Sequence, residues 1–148
     1  MSTDELLESD ADRMSDAEIR AFLRREGAGV LGLPTTDAPY LLPMSFGYDG
    51  DSRLYFVFLL FGTESLKADL SDAADAASFL VYRADSMHEW RSVQLTGRVD
   101  AVDDDEWPSL RDAMDNAWHP DLFSSASPMR GIEGYRFEIT DWTGIQHV

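Results

Sequence analysis

Short hydrophobic runs, separated by glycine, proline and acidic residues, make up most of the chain after residue 27. In residues 89–103 the apolar positions Val93, Leu95 and Val99 alternate with polar ones, a period of two that is typical of a half-buried strand. Gly97 within this run predicts a bend or bulge. These patterns predict six strands, over residues 28–34, 39–48, 53–61, 77–83, 89–103 and 134–148.

Helical segments are fewer and shorter. Ser15 and Glu18 form a capping box ahead of an apolar 3–4 spacing, and Gly27 stops the pattern, which predicts a helix of about ten residues. Acidic residues open a second helix predicted over residues 103–118, where the helix dipole favours them. A short polar helix is predicted over residues 64–70.

The connections between the predicted strands decide the fold class. The turn Asp49-Gly50-Asp51 joins two β-rich runs, as in a hairpin, and most other connections are too short for a crossover helix. We therefore predict a mainly β fold with flanking helices (α+β), an antiparallel split β-barrel. No repeat or linker divides the chain, so residues 14–148 are expected to form one domain after a flexible acidic leader over residues 1–13.

Charge narrows the possible partners. The 148 residues carry 28 Asp and Glu against 12 Lys and Arg, a formal net charge of −16. This charge repels nucleic acid and acidic membrane surfaces, so neither is an expected partner. The acidic residues are scattered along the chain, which favours a protein adapted to high salt, as in a halophile, over an acidic partner-binding surface.

The sequence lacks several features that particular kinds of site or cellular location require. There is no cysteine, hence no disulfide or thiolate chemistry. The N-terminus lacks the apolar segment of a signal peptide, and the apolar run 54–62 is too short to span a bilayer, so we expect a cytoplasmic protein. His88, His119 and His147 have no metal-binding spacing, and no nucleophile elbow, dinucleotide fingerprint or phosphate loop of the Walker type is present. We therefore predict no metal site and assign no catalytic residue.

The one candidate site that the residues themselves indicate surrounds the only lysine, Lys67. It follows Gly62 and the hydroxyls of Thr63 and Ser65, at the expected junction between a strand and a helix. Free amides at a helix start, hydroxyl donors and one cation suit a phosphate group. The alternative is a capped surface helix whose lysine faces water, but the absence of lysine elsewhere favours a function.

Three motifs occur in order: PMSFGYDG-x-x-LYF over residues 43–56, G-x-x-S-x-K over 62–67 and W-x-SVQLTGRV over 90–99. In this order the sequence resembles the pyridoxamine 5′-phosphate oxidase-like FMN-binding split barrels, with the branch that includes the nitroimidazole-resistance proteins as the nearest match. The resemblance covers roughly residues 14–142. It implies a homodimer with FMN at the subunit interface, acting as a flavin-dependent oxidoreductase on a small-molecule substrate.

The resemblance also implies cofactor-binding residues. In the family the first motif lies along the isoalloxazine and ribityl groups, the second holds the FMN phosphate and the third approaches the flavin. Carried over by position, these residues are Pro43, Met44, Ser45 and Phe46; Thr63, Ser65 and Lys67; and Trp90, Ser92 and Gln94.

Departures from the family pattern argue against oxidation of pyridoxamine phosphate itself. Leu66 stands where the vitamin-synthesising oxidases have an arginine, Ser92 stands where they have a glutamine, and their arginine-containing C-terminal tail is missing. Relatives of the same fold bind deazaflavin or haem, and His88 or His119 would be the haem ligand. A flavin carrier without enzymatic activity and an interaction domain without a cofactor are the remaining alternatives.

Overall fold

The computed structural model describes residues 11–59, 76–114 and 132–148. Within these ranges the elements follow in the order β1 Asp12–Arg13, α1 Asp16–Arg25, β2 Ala28–Leu33, β3 Tyr40–Ser45, β4 Gly47–Tyr48, β5 Arg53–Leu59, β6 Ala77–Ser86, β7 Glu89–Ala101, α2 Trp107–Ala113 and β8 Ile132–His147.

The strands form one antiparallel sheet that curls into a split barrel. Its spatial order is β3-β2-β6-β7-β8-β5-β4, with β1 added along β8. The strands at the two ends of this order, β3 and β4, are separated in sequence by Phe46 alone. Because one residue cannot span a flat sheet of this width, the sheet must curl until its ends approach each other. The predicted antiparallel split barrel is confirmed.

Hydrophobic side chains from alternate strand positions fill the interior of the barrel. Phe79 lies at the centre, with its ring centroid 5.3 Å from that of Phe46, 6.0 Å from that of Phe137 and 6.2 Å from that of Phe56. Edge-to-face and offset aromatic pairs contribute about 0.5–1.5 kcal/mol each beyond the burial of their area. This cluster fixes which face of each strand points inward.

Helix α1 closes one end of the barrel with Ile19, Phe22 and Leu23, all of which are buried. The predicted capping box is present: the Ser15 hydroxyl accepts from the Glu18 amide, and the Glu18 carboxylate accepts from the Ser15 amide. The helix spans ten residues and ends at a C-cap on Glu26, as the sequence predicts.

Other sequence predictions need adjustment. The second helix begins at Trp107 rather than residue 103, because residues 104–106 form a turn ahead of it. Residues 115–118 of its predicted range, and the predicted helix over 64–70, lie outside the described residues. Asp12 and Arg13 already pair with β8, so the ordered fold begins before residue 14.

The predicted turn and bulge are both present. Asp49 Oδ1 accepts from the amides of Asp51, Ser52 and Arg53, and Gly50 adopts a φ of +90°, which a side chain would strain. The pairing of β7 with β8 shifts register between Thr96 and Gly97, so the irregularity lies beside Gly97 as predicted, but the extra residue, Thr140, belongs to β8. No helix in the described ranges is long and apolar enough to cross a membrane.

Candidate functional site

A shallow groove of about 230 Å³ lies on the outer face of β2, β3, β6 and β7. We call it the outer groove, and its outward-facing side chains and backbone belong to Val30, Gly32, Leu41, Ser78, Leu80, Gln94 and Thr96. Leu41 is 66% exposed, which is unusual for a leucine on a strand. None of these lining residues is charged, although the chain as a whole is strongly acidic.

Strand register explains how distant parts of the sequence reach this groove. Val30 on β2 lies directly opposite Pro43 on β3 and Leu80 on β6, and Leu80 lies opposite Gln94 on β7. Residues opposite each other in antiparallel strands project from the same face of the sheet. Three strand spacings separate Pro43 from Gln94, which is roughly 14 Å. The first and third motifs therefore meet on one surface.

The other outward-facing residues of these motifs extend the same surface. Ser45 lies two residues beyond Pro43, and Trp90 and Ser92 precede Gln94 at alternate positions, so all three belong to the outer face. Each of them is half-buried. Ser92 lies opposite Tyr82, which is 61% exposed. The structure thus places five predicted site residues on one face of the sheet, Pro43, Ser45, Trp90, Ser92 and Gln94, and of these Gln94 lines the outer groove.

Met44 and Phe46 point the other way. Phe46 is fully buried in the barrel core against Phe79, and Met44 packs against the same core. The amide of Phe46 donates to the carbonyl oxygen of Gly27 at 3.0 Å. The side chains of these two residues pack in the barrel interior, so only their backbone atoms could contact a ligand on the outer face.

Thr63, Ser65 and Lys67 lie outside the described residues. The segment that contains them joins β5, which ends at Leu59, to β6, which begins at Ala77. Ala77 directly precedes Ser78, which lines the outer groove.

A network of charged residues occupies a different part of the outer face, on β5, β8 and β7. The Arg136 guanidinium contacts the Glu106 carboxylate, Asp100 at 3.4 Å and Glu138 at 3.2 Å, and its side chain is 20% exposed. The Tyr55 hydroxyl donates to Glu106 Oε2 at 2.9 Å. Burial, and next the hydrogen bond to Glu106, raise the pKa of Tyr55. This network ties the turn before α2 to the sheet and leaves no charge in the groove.

The described histidines form neither a metal site nor a groove wall. The ring centroids of His88 and His147 are 5.5 Å apart, with Trp90 beside His147, at the far end of the β6–β7 hairpin. His88 is exposed and does not line the outer groove. In the described part of the chain, no group of three or more His, Cys, Asp or Glu could hold a metal ion. His119 lies outside it.

A family of known proteins matches the sequence of this chain. The sequence profile described as pyridoxamine 5′-phosphate oxidase matches residues 15–146, nearly the whole chain. The chain belongs to the pyridoxamine 5′-phosphate oxidase family. No curated protein sequence matches it significantly.

Solved structures similar to this family member share its fold at low sequence identity. An FAD-binding protein from Mesorhizobium loti is 21% identical with a TM-score of 0.70, covering 92% of this chain and 96% of its own. A candidate 5-nitroimidazole resistance protein from Bacteroides thetaiotaomicron is 19% identical with a TM-score of 0.71, covering 92% and 87%. An FAD- and haem-binding protein from Mycobacterium smegmatis is 17% identical with a TM-score of 0.71, covering 93% and 73%.

In this member of the pyridoxamine 5′-phosphate oxidase family, the sequence predicts only Gln94 among the seven outward-facing residues that line the outer groove and misses the other six. Val30, Gly32 and Leu41 come from the first hairpin of the sheet, and Ser78, Leu80 and Thr96 from strands that follow much later. The outward alternation of each strand is visible in the sequence. The sequence does not show that β2 pairs with β6, because β3, β4 and β5 lie between them along the chain. That pairing assembles the groove.

Proposed function

We propose that this protein binds a flavin, with the isoalloxazine ring in the outer groove. The observation that carries the proposal is the convergence of Pro43, Ser45, Ser92 and Gln94, taken from two separate motifs, on the face that contains the groove. Membership of the pyridoxamine 5′-phosphate oxidase family supports a cofactor of this class.

The chemistry of the groove suits a flat ring with one apolar and one polar edge. Val30, Leu41 and Leu80 offer apolar contact, and Ser78, Gln94 and Thr96 offer hydroxyl and amide groups that donate and accept hydrogen bonds. A neutral ring system needs no counter-charge, and none is present among these residues. Sites for cofactors are mostly apolar with a few placed polar groups, and the groove has this composition.

The phosphate-binding residues are proposed from the sequence motif. Lys67 and Ser65 would hold the phosphate nearest the flavin, together with Thr63. A motif with a single cation favours FMN, whose single phosphate one cation can neutralise. FAD, which relatives of this fold bind in Mesorhizobium loti and Mycobacterium smegmatis, and deazaflavin are the alternatives.

We propose that two copies of the chain form a homodimer that completes the site. The groove measures about 230 Å³, whereas pockets for drug-sized ligands usually enclose about 300–1,000 Å³. Leu41 and Tyr82 are both strongly exposed on the same face, where a second copy would cover them. The partner is a second copy because the resemblance of the motifs implies a shared flavin site.

A flavin-dependent oxidoreductase acting on a small molecule is the function that follows. The bound flavin would supply the hydride chemistry, while this chain's residues bind the ring, orient it and limit its contact with water. No side chain needs to act as acid or base. The departures at Leu66 and Ser92 argue against pyridoxamine phosphate as the substrate. A haem site is less favoured, because His88 lies away from the groove.

Titration of FMN, FAD and a deazaflavin into cofactor-free protein tests this proposal, with the visible absorption of the bound ligand as the readout. We expect saturable binding that is tightest for FMN. Gln94→Leu should weaken it, since the amide is replaced by an apolar side chain of similar size, whereas Arg24→Gln on the far helix should not. Binding of haem in preference to all three flavins would contradict the proposal.

The homodimer is tested separately by light scattering on cofactor-free and FMN-loaded protein over a range of concentrations. A ligand that binds only the assembled site stabilises the dimer by mass action, so FMN should lower the concentration at which the dimer forms. A monomer that binds FMN with full stoichiometry would refute the shared site and leave flavin binding intact.

A further inference from the structure

Gly32 is the fifth of the six residues of β2, paired on both sides, and lines the outer groove. It lies directly opposite Leu41 on β3 and Ser78 on β6. Glycine weakens a strand interior, because it loses more conformational freedom on folding than other residues and offers no side chain to pack. A glycine within a strand is therefore expected only where the backbone conformation, close packing or a ligand leaves no room for a side chain.

For the other strand glycines in the described ranges, the reason is close packing inside the chain. A Cβ atom added to any of them would come within 3.0 Å of a neighbouring atom, closer than real Cβ atoms approach; these residues are Gly29, Gly47, Gly97, Gly134 and Gly144. At Gly47 and Gly97 the obstructing atoms include backbone of Ala113 and Glu138. These glycines are required by the fold.

Gly32 differs from them. A Cβ built on Gly32 would lie 3.5 Å from Leu41 Cδ2 and 3.7 Å from Ser78 Cβ, which is ordinary van der Waals contact. The φ of Gly32 does not lie in the left-handed region, so the backbone does not require glycine either. Among the strand glycines that the structure describes, Gly32 alone has neither explanation, and it is also the one that lines the groove.

We infer that Gly32 is a flavin-contacting residue whose missing side chain leaves the space that the isoalloxazine ring occupies. The inference rests on the proposed flavin site and specifies where the ring approaches the backbone. Leu41 lies on the β3 side of this space, Ser78 and then Thr96 lie on the β6–β7 side, and Val30 is the next outward-facing residue along β2. A Cβ here would project from the sheet into the volume of the groove, because neighbouring outward-facing residues do so.

The test is the series Gly32→Ala and Gly32→Val, with FMN affinity and thermal stability measured on each. Ala101→Val is the control, because it enlarges an exposed position of β7 outside the groove. Gly32→Ala should melt at the same temperature as the unaltered protein or higher, since alanine reduces the freedom of the unfolded chain. Its affinity for FMN should fall roughly tenfold and that of Gly32→Val roughly a hundredfold, because overpacking displaces the ring. Ala101→Val should bind FMN normally.

The outcomes separate the inference from the function on which it rests. If the unaltered protein binds FMN and both Gly32 variants bind it equally well, the inference is wrong and the flavin proposal stands. If the unaltered protein binds no flavin, both are wrong. Light scattering on the cofactor-free proteins is the further measurement. A cofactor-free Gly32→Val protein that stays monomeric at concentrations where the cofactor-free unaltered protein dimerises would make Gly32 a subunit contact and overturn the inference.

Discussion

Polar residues of this chain divide into two groups with different surroundings. Arg136, Glu106 and Glu138 neutralise one another in a partly buried network, whereas the groove residues Ser78 and Gln94 are neutral and exposed. Burying a charge without a partner is costly, so we expect the partly buried arginine and acidic side chains of this face to lie in ion pairs. The residues that line the outer groove carry no charge, which suits the neutral ring proposed to bind there.

Replacing Lys67 tests the phosphate assignment. Lys67→Ala would remove a charge-assisted contact worth about 1.5–3 kcal/mol, which lowers FMN affinity roughly ten- to a hundredfold. Lys67→Arg keeps the charge and should retain most of the affinity. Riboflavin, which lacks the phosphate, should bind the unaltered protein and Lys67→Ala equally. Equal FMN affinities for Lys67→Ala and the unaltered protein would remove Lys67 from the site.

Arg136 is predicted to be a stability residue. Arg136→Met would leave Glu106 and its partners without their cation and should lower the free energy of unfolding by about 2 kcal/mol. Arg98→Met is the matched control: its side chain is 57% exposed and pairs with Asp100, so the loss should stay under about 1 kcal/mol. Urea denaturation measures both. Equal losses for the two variants would show that the network adds nothing beyond surface pairing.

At the scale of elements, helix α1 is joined to the sheet by a chain of hydrogen bonds. Arg91 Nε donates to Gln146 Oε1 at 3.1 Å, and Gln146 Nε2 donates to Glu18 Oε2 at 2.7 Å. Glu18 also accepts from the Ser15 amide at 2.9 Å, which closes the capping box. One carboxylate therefore stabilises both the helix start and its attachment to β8.

This arrangement predicts a pH dependence. The Ser15 backbone amide first, and then the Gln146 side chain, lower the pKa of Glu18 below its ordinary value of 4.5. A lowered pKa in the folded state gives stability that is present above pH 4.5 and lost as the pH falls through the folded value. As the pH falls from 4.5 through the folded-state pKa of Glu18, the free energy of unfolding of Glu18→Gln should decrease less than that of the unaltered protein. Urea denaturation at each pH measures both. Parallel losses would contradict the role of Glu18.

The same elements show how far the sequence predicts the structure. Helix α1 and the Asp49-Gly50 turn follow from local signals, since a capping box and a turn dipeptide each act within a few residues. Gly97 marks where the pairing of β7 with β8 becomes irregular, but the extra residue, Thr140, lies on β8. The start of α2 was misplaced because four successive acidic residues, from Asp103 to Glu106, resemble a first helical turn, yet three of them form a separate turn. The outer groove required long-range strand pairing, which no local signal encodes.

For the whole molecule the excess of acidic residues is the dominant property. With a net charge of −16, the folded chain concentrates like charges that the unfolded chain keeps farther apart. Dissolved salt screens this repulsion, and at 1 M the screening length is about 3 Å. The same salt weakens ion pairs, but it weakens those of Arg136 less, because that side chain is 20% exposed.

We therefore predict that potassium chloride stabilises the protein, as an adaptation to high salt would require. The melting temperature should rise from low to molar concentration, because the screened repulsion among 28 acidic residues outweighs the weakened ion pairs. Thermal melts in potassium chloride, with sucrose as a control for effects that are not ionic, measure this. A melting temperature that stays flat or falls with salt would contradict the prediction.

The central claim is that a flavin lies in the outer groove, and a crystal structure of the FMN-loaded protein tests it most directly. We predict isoalloxazine density against Val30 and Gly32, within hydrogen-bonding reach of Gln94, with a second copy of the chain covering its exposed side. A ring bound elsewhere, such as the hollow beside Arg20 and Trp142 at the other side of β8, would contradict the account.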